Sequence, residues 1–159
     1  MIADIKEVHM NKSVTIEAYV QEALQSCTFA VLATEGEGQP HASLVAITPS
    51  DDFKELIFAT YRSTRKYNNL EKNGKVAVLF ENRCANNLRQ QDITVLTAFG
   101  NAEELNNDAF ELAFESHVFK HPEQRTFLLS NDCAIFRIKV AAYQLVLGID
   151  DINWWKIKE

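Results

Sequence analysis

The sequence has few of the residues that mark several common protein classes. Its 159 residues include three cysteines, Cys27, Cys84 and Cys133, which are widely spaced and odd in number. This spacing fits neither a disulfide framework nor a zinc site with close ligand pairs. The longest apolar runs are five residues, at 29–33 and 76–80, whereas a membrane-spanning helix needs about 20. We therefore expect no structural disulfide, no metal site and no transmembrane helix.

Basic residues are also in short supply. The chain has 16 Lys and Arg against 22 Asp and Glu, which gives a formal net charge of −6. A general nucleic-acid-binding or anionic-membrane-binding surface needs the opposite balance. The first ten residues, MIADIKEVHM, lack a basic segment followed by an apolar stretch, so they do not predict a secretory signal. We expect a cytoplasmic protein with no nucleic acid or membrane partner.

The remaining composition favours one folded domain over residues 1–159. Hydrophobic residues make up 47% of the chain, there is no repeat or low-complexity stretch, and the five glycines and three prolines separate periodic segments. Apolar periodicity and turn residues predict strands over 28–34, 40–48, 55–60, 75–80, 93–105 (with a kink near Gly100) and 134–147, and helices over 14–25 (with Ser13 as N-cap), 63–73 and 107–119. We expect the first three strands to form a meander, within an antiparallel barrel of the α+β kind.

A basic cluster stands out against the acidic chain. It comprises five of the 16 basic residues: Arg62, Arg65, Lys66, Lys72 and Lys75. A predicted strand ends just before this segment and a helix begins near Ser63. Free N–H groups at a helix start attract phosphate, and Arg65, Lys66 and the hydroxyl of Ser63 or Thr64 add donors. No nucleotide-hydrolase or dinucleotide phosphate loop is present. The cluster predicts either an anion site or a solvated helix face.

The same segment carries a family resemblance. FATYRSTRKYNNL, preceded by FAVLATEGEGQPHASLVAI, resembles the FMN-binding split-barrel family of pyridoxamine 5′-phosphate oxidase-like flavoproteins over about residues 25–105. The resemblance implies a mainly β fold, a six-stranded antiparallel split β-barrel with flanking helices. It also implies a homodimer that binds FMN at the subunit interface.

Site residues follow from the matched motifs. The resemblance implies that Thr64, Arg65 and Lys66 bind the FMN phosphate. It implies that the ribityl chain and ring contact Ala59, Thr60 and Tyr61, and that the ring edge lies along the backbone of Ser43, Leu44 and Val45. Asn82 and Arg83 directly follow the predicted strand 75–80, where a loop can approach the cofactor. No residue is predicted as a catalytic acid or base, and none as a metal ligand.

Departures from the family pattern bear on the activity. Ser43 and Thr48 stand where the oxidase has an arginine and a lysine, and the chain ends in GIDDINWWKIKE rather than in the oxidase's basic motif. We therefore expect a flavin-dependent oxidoreductase with a small redox substrate or a nicotinamide donor, rather than a true pyridoxamine phosphate oxidase. The alternatives are a non-enzymatic flavin or haem carrier or sensor, and a deazaflavin in place of FMN.

Two aromatic pairs outside these motifs also draw interpretation. His117 and His121 have the i, i+4 spacing of metal ligands, but no third ligand is nearby, so we expect an exposed helix end. Trp154 and Trp155 lie in what the sequence indicates is a short polar tail. They are predicted either to pack against a partner subunit's core or to shield the flavin face. His41 is expected to be a polar turn residue.

Overall fold

The computed structural model describes residues 15–81 and 94–158, which form a curled antiparallel sheet with helices packed against it. The helices are α1 (Ile16–Ser26), α2 (Arg65–Lys72), α3 (Asn107–Lys120) and α4 (Arg125–Leu128), the last preceded by a 3₁₀ turn at Pro122–Gln124. The strands are β1 (Phe29–Gly36), β2 (Gln39–Ala46), β3 (Thr48–Pro49), β4 (Glu55–Tyr61), β5 (Lys75–Glu81), β6 (Thr94–Glu104), β7 (Cys133–Leu147) and β8 (Asp151–Lys156).

The strand order explains how the sheet curls into a split barrel. Hydrogen-bonded neighbours run β2-β1-β5-β6-β7-β4-β3, and β8 adds to β7. The chain passes from β2 at one edge to β3 at the other through Ile47 alone, so the two edges meet there. At this junction, which we call the seam, Thr48 pairs with Ile57 and Pro49 with Leu56. Beyond it β2 and β4 have no ladder between them, and we call the gap between 39–45 and 58–61 the split.

The inner face of the barrel forms the core. Alternation along β1 buries Ala30, Leu32 and Thr34 and exposes Phe29 and Val31, as expected for a strand with one face toward a core. Helix α1 contributes Val20 and Leu24 to the same core, and α2 contributes Tyr67 and Leu70. A second, smaller apolar cluster lies where α3 and α4 cover β4 and β7. The outer side of β4 is therefore partly covered.

Helix α2 is held against β1 by polar contacts at one end of the barrel. Asn69 Nδ2 donates to Thr34 Oγ1 at 3.0 Å, and a Cβ placed on Gly36 would lie 2.0 Å from Asn69 Oδ1. A larger residue at position 36 would therefore force the Asn69 side chain out of its contact with Thr34. The helix spans Arg65–Lys72, with Thr64 as N-cap and Asn73 as C-cap, close to the predicted 63–73.

The predicted fold class is confirmed: the protein is an antiparallel split barrel with flanking helices. The described residues contain eight strands rather than six. One addition, β3, is the continuation of predicted strand 40–48 beyond the seam, and the other, β8, arises from the C-terminal segment. The kink near Gly100 is confirmed as a register shift between β6 and β7 at Phe99/Gly100.

Three local predictions were wrong. The first three predicted strands do not form a meander, because β4 pairs with β7 over its whole length and with β3 over two residues only. The C-terminal segment is a strand rather than a tail. The N-cap of α1 is Thr15, whereas Ser13 lies outside the described residues. The predicted loop 82–92, with Asn82, Arg83 and Cys84, also lies outside them.

Candidate functional site

The split places two of the predicted site segments opposite each other. The seam pairs Thr48 with Ile57, and continuing this antiparallel count puts Val45 level with Thr60 and Leu44 level with Tyr61. Strand β2 is hydrogen-bonded to β1 on one side. On the side facing the split, its main-chain groups have no strand partner in the described chain. An unpaired strand edge of this kind offers alternating N–H donors and C=O acceptors to a ligand.

The side chains of β2 alternate across this edge. Val45 is buried in the core, whereas Leu44 is 68% exposed on the outer face. Ser43 Oγ and His41 Nδ1 are both buried, and neither has a hydrogen-bond partner within 15–81 and 94–158. Buried polar atoms without partners are uncommon and each calls for an explanation. Two of them on one strand beside the split mark this place as one where a further group can bind.

The end of β4 borders the split from the other side. Thr60 is buried, and its Oγ1 lies 2.8 Å from Thr64 Oγ1. Ala59 is half-buried and packs against the smaller apolar cluster. Tyr61 is 42% exposed and its ring meets Phe127 edge-on at 4.7 Å. Of these three predicted contacts, Tyr61 presents the most surface to a ligand.

The turn between β4 and α2 is built by the Thr64 hydroxyl. Thr64 Oγ1 donates to Tyr61 O at 2.9 Å and accepts from Tyr67 N–H at 3.3 Å. Capping of this kind fixes the helix start. Because the hydroxyl hydrogen is already engaged, Thr64 would reach an anion only after giving up this bond. Its observed role is to position the residues that follow it.

Arg65 and Lys66 are the basic residues left without partners at this helix start. In the described part of the chain, neither forms a hydrogen bond or ion pair, and their backbone N–H groups have no acceptor. Arg65 is exposed, while partial burial lowers the pKa of Lys66. Two unpaired cations and two free N–H groups form an anion-binding corner.

Two other cations of the basic cluster, Arg62 and Lys72, form ion pairs. Arg62 forms an ion pair with Glu104, and its NH1 donates to Tyr67 Oη at 2.8 Å. The hydrogen bond to Glu104 raises the pKa of Arg62. Lys72 pairs with Glu37 at 3.3 Å. Within the cluster, Arg65 and Lys66 therefore fit the predicted anion site, whereas Arg62 and Lys72 are engaged in ion pairs within the chain.

A cavity of about 440 Å³ lies outside this site, on the covered side of β4. Its lining includes Leu105, Phe110 and Phe114 from the α3 region and Leu128 from α4, with Arg62 at its edge. None of the sequence-predicted site residues lines it. The split is a groove along an open strand edge. We consider it a candidate ligand site because of its unpaired polar groups, not because it encloses a large volume.

His117 and His121 do not form an exposed helix end, and that prediction was wrong. Both are 0% exposed, with ring centroids 4.7 Å apart. His117 Nδ1 lies 2.8 Å from Thr48 Oγ1, and His121 Nε2 lies 2.9 Å from the carbonyl of Ile47. Within the described residues no group of three or more His, Cys, Asp or Glu is arranged to hold a metal ion. The i, i+4 spacing therefore places both histidines on the helix face that contacts the seam.

The tryptophans occupy opposite faces of β8. Trp155 stacks on Tyr143 at 5.7 Å and packs, partly buried, against the core of its own chain. Trp154 is 53% exposed and stacks on Phe99 at 5.6 Å. Period-two alternation in a strand separates the adjacent rings, and only Trp154 faces outward.

No helix in the described chain is long and apolar enough to cross a bilayer.

Comparisons with known proteins agree with this geometry. A family model described as pyridoxamine 5′-phosphate oxidase matches residues 16–146. No curated protein matches. One similar solved structure is a heme binding protein from Mycobacterium smegmatis (TM-score 0.77, 17% identity, 86% of this chain and 56% of that one). The chain thus spans about half the length of that protein.

Two further structures are similar over most of both chains. One is a protein from Clostridium acetobutylicum related to general stress protein 26 of B. subtilis, of the pyridoxinephosphate oxidase family (TM-score 0.66, 19% identity, 87% of this chain and 92% of that one). The other is a FAD-binding protein from Mesorhizobium loti (TM-score 0.66, 16% identity, 82% and 92%). At these identities the likeness shows the shared fold alone.

Proposed function

Because the chain belongs to the pyridoxamine 5′-phosphate oxidase family, we propose that it binds FMN non-covalently in the split and acts as a small flavin-dependent oxidoreductase. One observation carries this proposal: within the described residues Arg65 and Lys66 have no hydrogen-bond or ion-pair partner, and they follow shortly after β4, whose end borders the split opposite the free edge of β2. A phosphate and a polar ring edge on one ligand match these two features. Bound flavin would supply electron or hydride transfer, while the chain supplies orientation and electrostatics.

The residues present fit the phosphate of FMN. Arg65 offers a planar fork of N–H donors and Lys66 offers a compact charge. Lys66 is partly buried, so its charge is less screened than that of a fully exposed lysine. The free N–H groups of residues 65 and 66 add two donors in line with the helix dipole. In this proposal Thr64 sets the geometry of the corner, and the two cations carry the affinity.

The residues also fit the flavin ring. The unpaired edge at 43–45 offers main-chain donors and acceptors to the polar atoms of the isoalloxazine. The buried Ser43 Oγ, which lacks a partner in the described chain, provides one further hydrogen-bonding group there. Tyr61 is placed at the level of Leu44 across the split and can pack against the ligand. The chain offers no group that we assign as a catalytic acid or base.

Pyridoxamine 5′-phosphate itself is not the substrate that we propose. Ser43 is neutral, and Thr48 is buried with its hydroxyl at 2.8 Å from His117 Nδ1. Neither position provides the positive charge that a second phosphate group needs. A small redox substrate without a phosphate, or a reduced nicotinamide as electron donor, suits these neutral positions better.

We also propose that the protein is a homodimer with FMN at the subunit interface. The outer face of β2, β1 and β5 carries adjacent exposed apolar side chains: Val31 lies opposite both Leu44 and Leu79 in register. Phe29 on the same face is 50% exposed. Contiguous apolar surface of this kind marks protein–protein contact sites. Because Leu44 borders the split, a second subunit on this face would cover part of the ligand.

The test is flavin binding by the purified protein. The absorption spectrum identifies flavin, and calorimetry gives Kd for FMN and for riboflavin, which lacks the phosphate. We expect Arg65→Ala and Lys66→Ala each to weaken FMN binding by about ten- to a hundredfold, the value of one charge-assisted contact. Riboflavin binding should barely change. Lys72→Ala on the same helix, whose ammonium pairs with Glu37, is the matched control.

Other results would contradict the proposal. Unchanged FMN affinity in both variants would place the anchor elsewhere. A Soret band in place of flavin absorption would favour haem, which the Mycobacterium smegmatis protein of the same fold binds according to its name. Tight flavin binding without turnover of a reduced nicotinamide and simple acceptors would favour a carrier or sensor. Sedimentation of the FMN-loaded protein tests the dimer.

A further inference from the structure

The end of α3 contacts the seam through polar side chains that flavin binding does not use; Thr48, His117 and His121 are buried, and Lys120 and Gln124 are half-buried. We call these residues the seam cluster: Thr48, His117, Lys120, His121 and Gln124. His121 Nε2 donates to Ile47 O at 2.9 Å, and His117 Nδ1 accepts from the Thr48 hydroxyl at 2.8 Å. His117 Nε2 donates to Gln124 Oε1 at 3.1 Å. The two contacts of His117, one accepted and one donated, fit a neutral imidazole with its hydrogen on Nε2.

A third contact joins the same turn to the beginning of the barrel. Lys120 Nζ donates to the carbonyls of Cys27 at 3.2 Å and Leu24 at 3.4 Å. The segment that follows Cys27 supplies Thr28 O, which accepts from Ile47 N–H at 3.3 Å. The end of α1, the entry to β1 and the bend between β2 and β3 therefore all meet one helical turn.

Filling this space with polar side chains costs more free energy than filling it with apolar ones. Burying imidazole, hydroxyl and ammonium groups costs free energy unless each is hydrogen-bonded, and apolar side chains of similar volume would seal the same gap more cheaply. What the polar groups add is direction, because hydrogen bonds hold specific atoms of the backbone in place. The atoms held here are the Ile47 carbonyl and the Thr48 side chain.

Those atoms lie at the bend between β2 and β3, which influences how the free edge of β2 faces β4 across the split. Ile47 is the single residue between β2 and β3, and Val45, two residues earlier, is on the free edge. The ladder with β1 holds β2 on its other side, but on the side of the split only the bend at Ile47 and Thr48 joins β2 to β3 and β4. The direction of the free edge depends on the bend at Ile47 and Thr48.

We propose that His121 and His117 are positioning residues for the flavin, which hold the bend at Ile47 and Thr48 so that the free edge of β2 meets the isoalloxazine ring. This inference rests on the proposed FMN binding. It assigns the two histidines to the ring, whereas Arg65 and Lys66 act on the phosphate. The two roles make opposite predictions for riboflavin, which shares the ring and lacks the phosphate.

The experiment uses the full chain with His121→Leu, which removes the donor to Ile47 O, and His121→Gln, which retains an N–H donor. In His121→Leu we expect Kd for FMN and Kd for riboflavin to rise by the same factor, about tenfold, together with a shift in the visible spectrum of bound flavin. His121→Gln should recover most of the affinity and the parent spectrum. Thr48→Val, which deletes one hydroxyl, is the second variant and should raise both Kd values by a smaller common factor.

Tyr143→Phe is the matched control, because it also removes one buried hydrogen bond to a carbonyl, that of Tyr143 Oη to Phe53 O at 2.6 Å. It should leave both affinities and the spectrum unchanged. Equal effects of the control and the seam variants would show general destabilisation and overturn the inference. So would parent-like affinity in His121→Leu and Thr48→Val. A parent protein that binds neither FMN nor riboflavin would instead overturn the proposed function, and the inference with it.

Discussion

The buried imidazole of His117 should make the stability of the fold sensitive to mild acid. Burial lowers the pKa of His117 from 6.5 to about 4, with Lys120 and His121 adding to the decrease and the hydrogen bond to Gln124 opposing it. In the unfolded chain the same ring takes up a proton near its ordinary pKa. Between these two values the unfolded state binds more protons, so the free energy of unfolding falls as the pH falls.

The size of the effect follows from the two pKa values. Linkage predicts a loss of about 2 kcal/mol between pH 7 and pH 5 from this one group. Below the folded-state pKa both states are protonated and the loss levels off, at about 3 kcal/mol. Above pH 6.5 the full stability is present. For a domain with a typical stability of about 5–15 kcal/mol, this change is large.

Urea unfolding at a series of pH values measures the effect, with flavin-free protein so that ligand binding does not contribute. His117→Gln retains a polar side chain and removes the titration. Three carboxylates have lowered pKa values, Glu35, Asp52 and Glu103; their protonation in acid lowers the free energy of unfolding equally in both proteins. The difference between the two pH profiles therefore isolates His117. Parallel profiles between pH 7 and pH 5 would refute the reasoning.

Three further predictions are checked by simpler measurements. An assay of pyridoxal 5′-phosphate formation should show no efficient turnover, because Thr48 supplies no charge; rapid turnover would contradict this. Trp155→Ala should lower the free energy of unfolding by about 2–3 kcal/mol, below the cost of removing a fully buried aromatic, because Trp155 is partly buried against the core. Trp154→Ala should cost far less, and equal losses in chemical denaturation would be inconsistent with their opposite faces. Gly36→Ala should cost about 1–3 kcal/mol from overpacking against Asn69, so an unchanged melting temperature would argue against that close contact.

Local patterns in the sequence predicted most of the elements of the fold. Apolar alternation located the long strands, and helical spacing located α1 and α3 to within a few residues. The kink at Gly100 was also predicted. These signals are readable because the period of burial along a strand or helix is a local property of the chain. The order of the motifs, from G-x-P-H through F-A-T to T-R-K, was sufficient to suggest the family.

Pairing between distant segments was not readable in the same way. The prediction of a meander failed because a strand that follows another in sequence need not be its neighbour in the sheet. Strand β4 pairs along its whole length with β7, which lies far away in the sequence. The exposed-end prediction for His117 and His121 failed because their partners are 69 and 74 residues away. Spacing within one helix says nothing about such partners. The inward placement of Trp155 depends likewise on a distant residue, Tyr143 in β7.

The basic cluster shows which features depend on the local sequence and which depend on the tertiary structure. The sequence by itself determined that cations follow a strand and begin a helix, since this depends on neighbours in the chain and on the capping residue Thr64. Only the tertiary structure decided which cations are available. Glu104, from a distant strand, neutralises Arg62, whereas no described side chain forms a hydrogen bond or ion pair with Arg65 or Lys66. Coulombic pairing depends on distance in space, and the fold alone sets that distance.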